Sequence, residues 1–514
     1  MKTFKWVLAS MIAGVTLALI FFIVLRNNDM ERKDQFNNEV TTITGYLIGS
    51  PPAGLNDVLQ ELNQRLRQDL QVNIRLKYIA WNELITKYPM VLSSDESVDF
   101  IFASNWTYYN REVAQGSFLE ISKPMIQKNM PLYYAVQKEK AWKEAEIGGK
   151  MYMIPSSAPD VKVPVTLIRG DLRKKYNVPA INTFSEIEPY LKAIKQSETS
   201  MTPIRVDKQY DLTKIHSNLQ WEFGPAVADA ITTTNGFSGV FTSWDDPQGT
   251  ILSVFEEPLQ SSFLKSAQIV KSWYDKGYIN QDAIVNKERS KDAFEAGRSA
   301  VAFGNTNDIQ TTLIKAEKNG WEVEIIPNLS SKGTYLMDPY SNNGVAIPAN
   351  SRHAGLTMQV LDLIMEDPDY SRLVYFGIES KNYVIRDGLI TLPEGITPEA
   401  NDYPPDASGF WFTNKSTFPP NAEWSQAYKA HKANLQDKLV SNRYAGFNFN
   451  ATTVRGQLEQ MNRVAIQWLT PIQSGMVHDV DESFQKFKSE ALKAGYHEIL
   501  QEAKRQADEY RATE

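Results

Sequence analysis

The order of short apolar runs and amphipathic stretches that follows the first 40 residues constrains the fold more than any other feature of this chain. Ile43–Ile48 and Val98–Ala103 are apolar runs typical of buried strands, and Val72–Tyr78 alternates as a strand between them. Two stretches with helical spacing separate these strands, one at residues 58–70 and one at Trp81–Leu92. A β-α-β-α-β order of this kind predicts an open, mostly parallel α/β sheet.

A second unit with the same alternation begins near Met151. Its predicted strands are Tyr152–Ile154, Val163–Arg169, Val301–Phe303, Val323–Ile326 and Gly344–Ile347, and its predicted helices are 184–195, 261–276, 290–297, 355–366 and 369–376. Residues 391–424 are rich in loops, prolines and aromatic side chains, and residues 457–511 are predicted to be helical. At 514 residues the chain is too long for one core, so we expect two or three lobes.

The net charge and the absence of cysteine exclude several partners and chemistries. The formal charge is −7, and it becomes −10 without the three positive charges of Lys2, Lys5 and Arg26 in the N-terminal segment. This acidic balance argues against nucleic acid or an anionic membrane surface as the main partner. Because the chain has no cysteine, it has no disulfides, thiol nucleophiles or cysteine metal sites, and no lipid attached through cysteine.

The N-terminus carries an uncharged, mostly apolar run from Trp6 to Leu25, preceded by two lysines. Twenty residues span about 30 Å as a helix, which is enough to cross a bilayer core. The lysines place the N-terminus inside the cell and residues 27–514 outside it. We therefore predict an uncleaved signal-anchor at residues 1–26, followed by a polar tether at 27–40; a cleaved signal peptide is the alternative.

Catalytic motifs are absent from the sequence. There is no Gly-x-Ser-x-Gly elbow, His-Glu-x-x-His helix, phosphate-binding loop or dinucleotide fingerprint, and the five histidines have no metal-ligand spacing. Carboxylate pairs such as Asp245–Asp246 and Glu256–Glu257 are expected among 61 acidic residues and do not by themselves indicate a glycosidase. The sequence predicts a protein that is not an enzyme and has no metal and no cofactor.

Seven sequence blocks, taken in their order, carry a resemblance to a known family. The blocks are GSPPAGLNDVLQELNQRL with VNIRLKYIAWNEL, VDFIFASNWTYYNREVAQGSFLEIS, GGKMYMIPSS, VTLIRGDLRKKYNVPAINTFSEIEPYLKAIK, WYDKGYIN with FEAGRSAVAFGN, NNGVAIPANSRHAGLTMQVLDLIMEDPDYSRLVYFGIESKNY and LKAGYHEILQEAKRQADEY. Together they resemble extracellular solute-binding proteins of bacterial ABC importers, in the large carbohydrate-type branch that ends in an extra C-terminal domain. The resemblance covers nearly all of residues 40–514, although the lipid-carrying cysteine usual in that family is missing here.

The resemblance implies a two-lobed clamp of the type II periplasmic-binding-protein kind, in which each lobe is an open, mostly parallel sheet with helices on both faces. The implied division is 41–158 for the first part of lobe 1, 159–327 for lobe 2, 328–367 for the return to lobe 1, and 368–514 for the completion of lobe 2 with the extra domain. The implied function is the capture of a carbohydrate, an oligosaccharide, by hinge closure at the cell membrane. The monomeric protein would then deliver that ligand to the permease subunits of an ABC importer.

Alternative functions remain open from the sequence alone. A ligand-binding receptor for a membrane sensor kinase would use the same clamp and anchor. A secreted glycan-degrading enzyme is disfavoured by the missing motifs, and peptides or lipid precursors are alternative ligands, because one fold admits several ligand classes.

The resemblance also directs attention to the loops at the ends of the strands. The stretch SNWTYYN, Ser104–Asn110, follows a predicted strand and places aromatic rings among amides and hydroxyls, as the apolar faces and hydroxyl edges of a sugar require. Packing beneath the loop is the alternative for one or two of these rings. The candidate ligand-binding residues are Ser50, Pro51, Asn105, Trp106, Tyr109, Trp221, Glu222, Trp244, Asp245, Asn305, Tyr340, Asn342 and Trp411.

Overall fold

The computed structural model describes residues 40–512, except residues 95, 230–236, 399 and 406. The predicted signal-anchor at 1–26 and all of the tether except Val40 lie outside the described residues. Within the described part of the chain, no helix is both long and apolar enough to cross a membrane.

Strands and helices alternate along most of the chain, as predicted. The strands are β1 Thr41–Ile48, β2 Val72–Ile79, β3 Phe100–Ala103, β4 Glu146–Ile147, β5 Lys150–Met151, β6 Ile154–Pro155, β7 Pro164–Arg169, β8 Thr202–Ile204, β9 Val227–Asp229, β10 Val240–Ser243, β11 Ile251–Ser253, β12 Ser299–Asn305, β13 Val323–Pro327, β14 Tyr335–Met337, β15 Gly344–Ala346, β16 Val384–Arg386, β17 Leu389–Thr391 and β18 Leu439–Ser441. The helices are α1 Leu55–Leu70, α2 Leu84–Ser93, α3 Tyr109–Ala114, α4 Lys123–Asn129, α5 Pro131–Val136, α6 Glu139–Ala145, α7 Gly170–Lys175, α8 Glu188–Ser197, α9 Lys214–Phe223, α10 Leu259–Asp275, α11 Ser290–Glu295, α12 Gln310–Lys318, α13 Ala354–Glu366, α14 Pro368–Phe376, α15 Gln426–Ala433, α16 Arg455–Val464, α17 Thr470–Gln473, α18 Val480–Lys493 and α19 Tyr496–Arg511.

The first lobe is built on a five-stranded sheet with the order β2-β1-β3-β15-β6. β1 runs parallel to both β2 and β3, whereas β15 is antiparallel to β3 and to β6. Six consecutive residues of β1 are buried, because helices cover both faces of a central parallel strand. Gly45 in β1 is required by packing: a Cβ atom there would lie 2.0 Å from Cζ of Phe100 on the neighbouring strand.

The second lobe contains a four-stranded sheet with the order β13-β7-β12-β8, and the prediction of a mostly parallel sheet is wrong here. β7 is antiparallel to both β12 and β13, and only β12 and β8 are parallel. The physical reason is the route of the chain: β7 carries it away from the connection to the first lobe, and β13 carries it back. A second small sheet, β11-β10-β9, is antiparallel throughout.

The buried cores place one lobe boundary later than predicted. The core of the first lobe includes Leu373 and Val374 of α14, and also Tyr403, Phe410 and Phe412 from the loop-rich region. The return to the first lobe therefore extends to about residue 412 and does not end at 367, because these apolar side chains complete its core.

The C-terminal helices pack on the second lobe. Phe255, which follows β11, contacts the rings of Phe484, Phe487 and Tyr496, with centroid distances between 4.8 and 5.8 Å. These residues belong to one buried apolar cluster that joins residues 227–267 with 444–507. The terminal domain is thus fixed to the second lobe by a shared core.

A buried charge cluster joins three segments of the chain where the lobes meet. Asp160 accepts hydrogen bonds from Lys415 Nζ at 2.7 and 2.8 Å and from Asn343 Nδ2 at 2.9 Å, and Lys162 Nζ lies 3.1 Å from it. Burial alone would raise the pKa of Asp160, but the two ammonium groups outweigh it and hold the pKa below its usual range. The cluster ties together segments that lead into or out of the second lobe.

Candidate functional site

Three indole rings form a cluster at one edge of the first lobe, the tryptophan cluster of Trp81, Trp106 and Trp411. Trp81 stacks on Trp106 with centroids 6.0 Å apart and on Trp411 at 5.6 Å, with interplanar angles of 25° and 22°. Phe102 supports the cluster from the core and meets Trp411 edge-on at 5.3 Å. Parallel packing of this kind presents a broad apolar surface at the edge of the sheet.

The sheet topology explains why these rings meet. Trp81 follows β2 and Trp106 lies three residues beyond β3, and both strands are direct parallel neighbours of β1. The carboxyl ends of parallel strands lie at one edge of a sheet, which is where ligands bind in open α/β folds. Ser50 and Pro51 follow β1 at the same edge and are exposed, and a Cβ atom on Gly49 would lie 3.7 Å from Trp81 Nε1.

Two of the three indoles are open to solvent. Trp81 is 52% exposed and Trp106 is 40% exposed, which is unusual for the largest apolar side chain. The Trp106 ring is nevertheless held in position, because its Nε1 donates to the backbone oxygen of Asn342 at 2.8 Å and its backbone nitrogen donates to Ser104 Oγ. An exposed but fixed ring is preorganised to contact a ligand.

The other members of SNWTYYN have structural positions. Tyr109 is 3% exposed, its hydroxyl donates to the backbone oxygen of Ala145 at 2.8 Å, and its ring packs on Phe118. This corrects the prediction that Tyr109 contacts a ligand, because both the ring and the hydroxyl are occupied in the core. Asn105 is half-buried, and its backbone nitrogen donates to the oxygen of Ser341.

A cavity of about 410 Å³ lies in the second lobe, where β7, α9 and β14 approach one another. We call it the second-lobe cavity. Aromatic side chains form much of its wall: Trp221 and Trp244, which meet edge-to-face with centroids 5.4 Å apart, together with Phe237, Phe241, Phe263 and Tyr335. Polar side chains from Ser217, Gln220, Asn328 and Asp338 also line it. An apolar cavity with a few polar groups is the usual form of a small-molecule site.

Several buried polar atoms around this cavity have no hydrogen-bond partner among the described residues. Three of them, Trp244 Nε1, Tyr335 Oη and Asp338 Oδ2, belong to residues that line the cavity. Asp245 Oδ2, Ser341 Oγ and Asn343 Oδ1 share this condition in adjoining stretches of the chain. Native proteins satisfy nearly all buried polar atoms, and each unsatisfied one costs about 1–3 kcal/mol. These atoms have almost no accessible surface, so they lie behind the wall of the cavity and do not face its open space.

Asp338 has the most perturbed carboxyl group of the site. Burial raises its pKa to about 7, and the negative charge of Asp160 adds to the increase, whereas Lys162 and Lys415 act in the opposite direction. The carboxyl group therefore exists in both protonation states near neutral pH, and it can accept a hydrogen bond in either.

A short segment connects the cavity with the tryptophan cluster. Asp338 lines the cavity, and Asn342, four residues later, accepts the hydrogen bond from Trp106. Four residues of chain span at most about 14 Å, so Asp338 and the carbonyl that holds Trp106 lie within that distance of each other.

Three predicted site residues are occupied elsewhere in this structure. The Glu222 carboxylate accepts hydrogen bonds from Ser185, including its backbone nitrogen at 2.9 Å. Asn305 Oδ1 accepts from the backbone nitrogens of residues 307 and 308, and Tyr340 is 5% exposed. Each of these side chains serves the local structure here, and its contact with a ligand stays a prediction.

Trp81 in the tryptophan cluster, and Tyr335 and Asp338 in the wall of the cavity, were not among the residues predicted from the sequence. Trp81 had a usable signal, since it lies three residues beyond the predicted strand Val72–Tyr78 and so at the same sheet edge as Trp106. Tyr335 and Asp338 had no such signal in the sequence, because only the fold brings β14 against the second lobe. Among residues 40–512, with the exceptions given above, no group of histidine and carboxylate side chains could hold a metal ion.

Comparison with known proteins agrees with this architecture. The domain of unknown function DUF3502 matches residues 443–512. A carbohydrate ABC transporter substrate-binding protein of Streptococcus pneumoniae serotype 4 is 22% identical over 502 residues, which cover 95% of this chain and 94% of that protein.

Solved structures of other binding proteins have a fold similar to that of this chain. The crystal structure of the N-glycan transport solute binding protein NgtS from Streptococcus pneumoniae superposes with a TM-score of 0.73 at 19% identity, covering 91% of this chain and 99% of that one. A complex of NgtS with Man1GlcNAc gives 0.70 with the same coverage. The alginate-binding protein AlgQ2 gives 0.66 at 16% identity, covering 92% and 99% of the two chains. The resemblance predicted from the sequence is confirmed: this chain has the α/β fold of these solute-binding proteins, and its residues 443–512 match the DUF3502 family model.

Proposed function

We propose that this protein is an extracytoplasmic solute-binding protein that captures an oligosaccharide between its lobes and delivers it to the permease of an ABC importer. The observation that carries the proposal is the presence of an exposed, fixed tryptophan cluster in the first lobe and of an aromatic cavity with polar lining residues in the second. Stacked rings suit the apolar faces of sugars, and the polar atoms suit their hydroxyls. The relatives named above are binding proteins, which supports a role without catalysis.

The proposed contacts come from both lobes. In the first lobe we assign Trp106, Trp81 and Trp411 to stacking, with Ser50, Pro51 and Asn105 beside them. In the second lobe we assign Trp221, Trp244 and Asp245, and the Asn342 segment closes the site at the lobe boundary. Hinge closure would bring these groups onto the ligand and create the surface that a permease recognises.

A glycan-binding screen tests this function. The full chain is kept in a polyoxyethylene ether detergent, which carries no sugar, and titrated calorimetrically with oligosaccharides of several linkages. A saturable, one-to-one signal in the micromolar range, equivalent to about −8 kcal/mol, is the expected result. Mass spectrometry of the recovered sugar should show an intact glycan. A cleaved glycan would favour the alternative function, a glycan-degrading enzyme. The absence of binding by every oligosaccharide of the panel would contradict a carbohydrate ligand.

The membrane attachment is a separate part of the proposal. We infer that residues 1–26 remain as an uncleaved anchor, because the apolar run has the length of a bilayer span and lacks a small-residue cleavage site. The N-terminal sequence of the protein recovered from membranes decides it: a chain that begins at residue 1 or 2 supports the anchor, and one that begins near residue 27 supports cleavage.

A further inference from the structure

A non-covalent contact joins the two lobes in addition to the segments of chain that run between them. It is made by Ser441–Asn448, which we call the bridge segment; its residues 443–448 belong to the stretch that matches DUF3502. Tyr444 and Phe447 of the bridge segment are buried in the apolar cluster that the second lobe shares with the C-terminal helices. The bridge segment also lies against α6, whose Trp142 is buried in the core of the first lobe.

Both ends of the bridge segment are hydrogen-bonded to the first lobe. At one end Lys140 Nζ, from α6, donates to Ser441 Oγ at 2.5 Å. At the other end Asn448 Nδ2 donates to the backbone oxygen of Glu146, directly after α6, at 2.9 Å. Asn448 is half-buried, whereas the Lys140 side chain is 45% exposed, so the Asn448 hydrogen bond is better shielded from water and is the stronger of the two.

Gly446 marks a close approach between the two sides of this contact. A Cβ atom on this residue would lie 3.0 Å from the backbone oxygen of Lys143 in α6 and 3.1 Å from the hydroxyl oxygen of Tyr510 in α19. Both distances are shorter than an ordinary van der Waals contact. Glycine therefore allows the bridge segment to fit between a helix of the first lobe and a C-terminal helix.

The opposite side of the bridge segment is fixed to the second lobe, at the loop between β10 and β11. Tyr444 Oη donates to the backbone oxygen of Gly249 at 2.5 Å. Arg443 Nη1 donates to the backbone oxygen of Pro247 in the same loop at 2.9 Å. The Tyr444 ring also packs on Tyr510, with centroids 5.9 Å apart. The bridge segment therefore moves with the second lobe, and its contact with α6 holds the first lobe against it.

This contact limits how the lobes can rotate. Clamp proteins open and close by rotation about the segments that connect their lobes. Because the bridge segment is fixed to one lobe and hydrogen-bonded to the other, a rotation that separates it from α6 must break the bonds of Ser441 and Asn448. It must also expose the surface around Gly446. A domain that served only to complete the core of the second lobe would need none of these groups.

We propose that the domain matching DUF3502 acts as a brace: through the bridge segment it restricts the orientations that the first lobe adopts relative to the second. A clamp restricted in this way loses less conformational freedom when it closes on a ligand, so the brace raises ligand affinity. The effect on affinity rests on the proposed function, whereas the restriction of lobe motion does not depend on any ligand.

Distances between spin labels on the two lobes test the restriction. The chain has no cysteine, so Gln127→Cys in the first lobe and Lys192→Cys in the second give two unique labelling sites, both exposed. The distance distribution is measured by double electron–electron resonance on the full chain in detergent, without sugar. Asn448→Ala, which removes the hydrogen bond to Glu146, should broaden this distribution at least twofold.

Matched controls separate the brace from general damage to the domain. Asn450→Ala is the control for Asn448→Ala, because the Asn450 side chain accepts from the backbone nitrogen of Thr452 within its own domain. Gly446→Val places a side chain against α6 and should broaden the distribution as well, and it serves if Asn448→Ala does not fold. Its control is Gly456→Val, because a Cβ atom there would meet no described atom of another element within 4 Å. Both controls should give the wild-type distribution.

Calorimetric titration with the oligosaccharide panel tests the effect on affinity. Every oligosaccharide that binds wild type should bind Asn448→Ala and Gly446→Val three- to tenfold more weakly, and should bind both controls with wild-type affinity. Distributions that superpose on that of wild type in both bridge variants, or equal broadening in the controls, would overturn the brace. Unchanged affinity in variants with broadened distributions would overturn its role in ligand capture. If no oligosaccharide binds wild type, the proposed function fails and the distances alone decide whether the brace exists.

Discussion

Trp106 and Asn342 are joined by a hydrogen bond from the indole Nε1 to the backbone oxygen, 2.8 Å long, although 236 positions separate them in the chain. Asn342 belongs to the segment that returns to the first lobe, and Ser104 Oγ donates to the same oxygen at 2.7 Å. One carbonyl thus fixes both the aromatic loop and the connection to the second lobe. The orientation of the Trp106 ring depends on the position of that connection.

The first prediction concerns Trp106. Trp106→Ala removes the stacking surface and should weaken glycan binding by ten- to a hundredfold, equivalent to about 1.4–2.7 kcal/mol. Trp106→Phe keeps an aromatic face and loses the Asn342 hydrogen bond, so its affinity should lie between the two. Tyr134→Ala, which removes another exposed ring of the first lobe, is the control and should bind as wild type. Isothermal titration measures the glycan affinity of all three variants. An affinity of Trp106→Ala equal to that of wild type would contradict a ligand contact at Trp106.

Trp81 supplies a second prediction. Its stacking on Trp106 should appear as a coupling energy of about 0.5–1.5 kcal/mol in a double-mutant cycle of Trp81→Ala and Trp106→Ala. Glycan affinity of the four proteins, measured under one condition, gives the coupling. Additive losses would mean that the two rings act on the ligand independently.

Tyr109 should affect stability and leave binding unchanged. Tyr109→Phe removes the buried hydroxyl that donates to Ala145 and accepts from the backbone nitrogen of Tyr152, so two backbone groups lose a partner. We expect the free energy of unfolding in urea to fall by about 1–3 kcal/mol. Glycan affinity of the folded variant should match wild type, and a selective loss of affinity would restore Tyr109 to the ligand site.

The raised pKa of Asp338 predicts a pH dependence of stability. Between the pKa of about 4 in the unfolded chain and about 7 in the folded protein, the folded state holds a proton that the unfolded state has released. The free energy of unfolding should therefore fall as the pH rises through this range, by on the order of 3 kcal/mol between pH 5 and 8 from this group.

Asp338→Asn removes that titration and isolates its contribution. Urea unfolding at pH 5 and pH 8 should show a smaller loss of stability in the variant than in wild type. The charged groups near this side chain, Asp160, Lys162 and Lys415, remain the same in both proteins. An identical loss in the two proteins would show that Asp338 titrates at its ordinary pKa.

Local sequence patterns determined most of the secondary structure. The apolar runs of β1, β2 and β3 and the helical spacing of α1 define the first lobe, because each element buries one recognisable face. The same spacing predicted the C-terminal helices. The sequence also predicted an aromatic ring at the surface after β3, and Trp106 is exposed there; its contact with a ligand stays a prediction.

Tertiary structure decided the direction of the second sheet, the extent of the first lobe and most of the site. The pairing of β7 with β12 and β13 depends on where the chain enters and leaves the lobe, which no local pattern records. Tyr109 and Trp106 have similar sequence surroundings, yet only packing against Phe118 and Ala145 buries the first of them. Trp244 and Asp338 line one cavity because distant segments of the chain fold together, which no local pattern records.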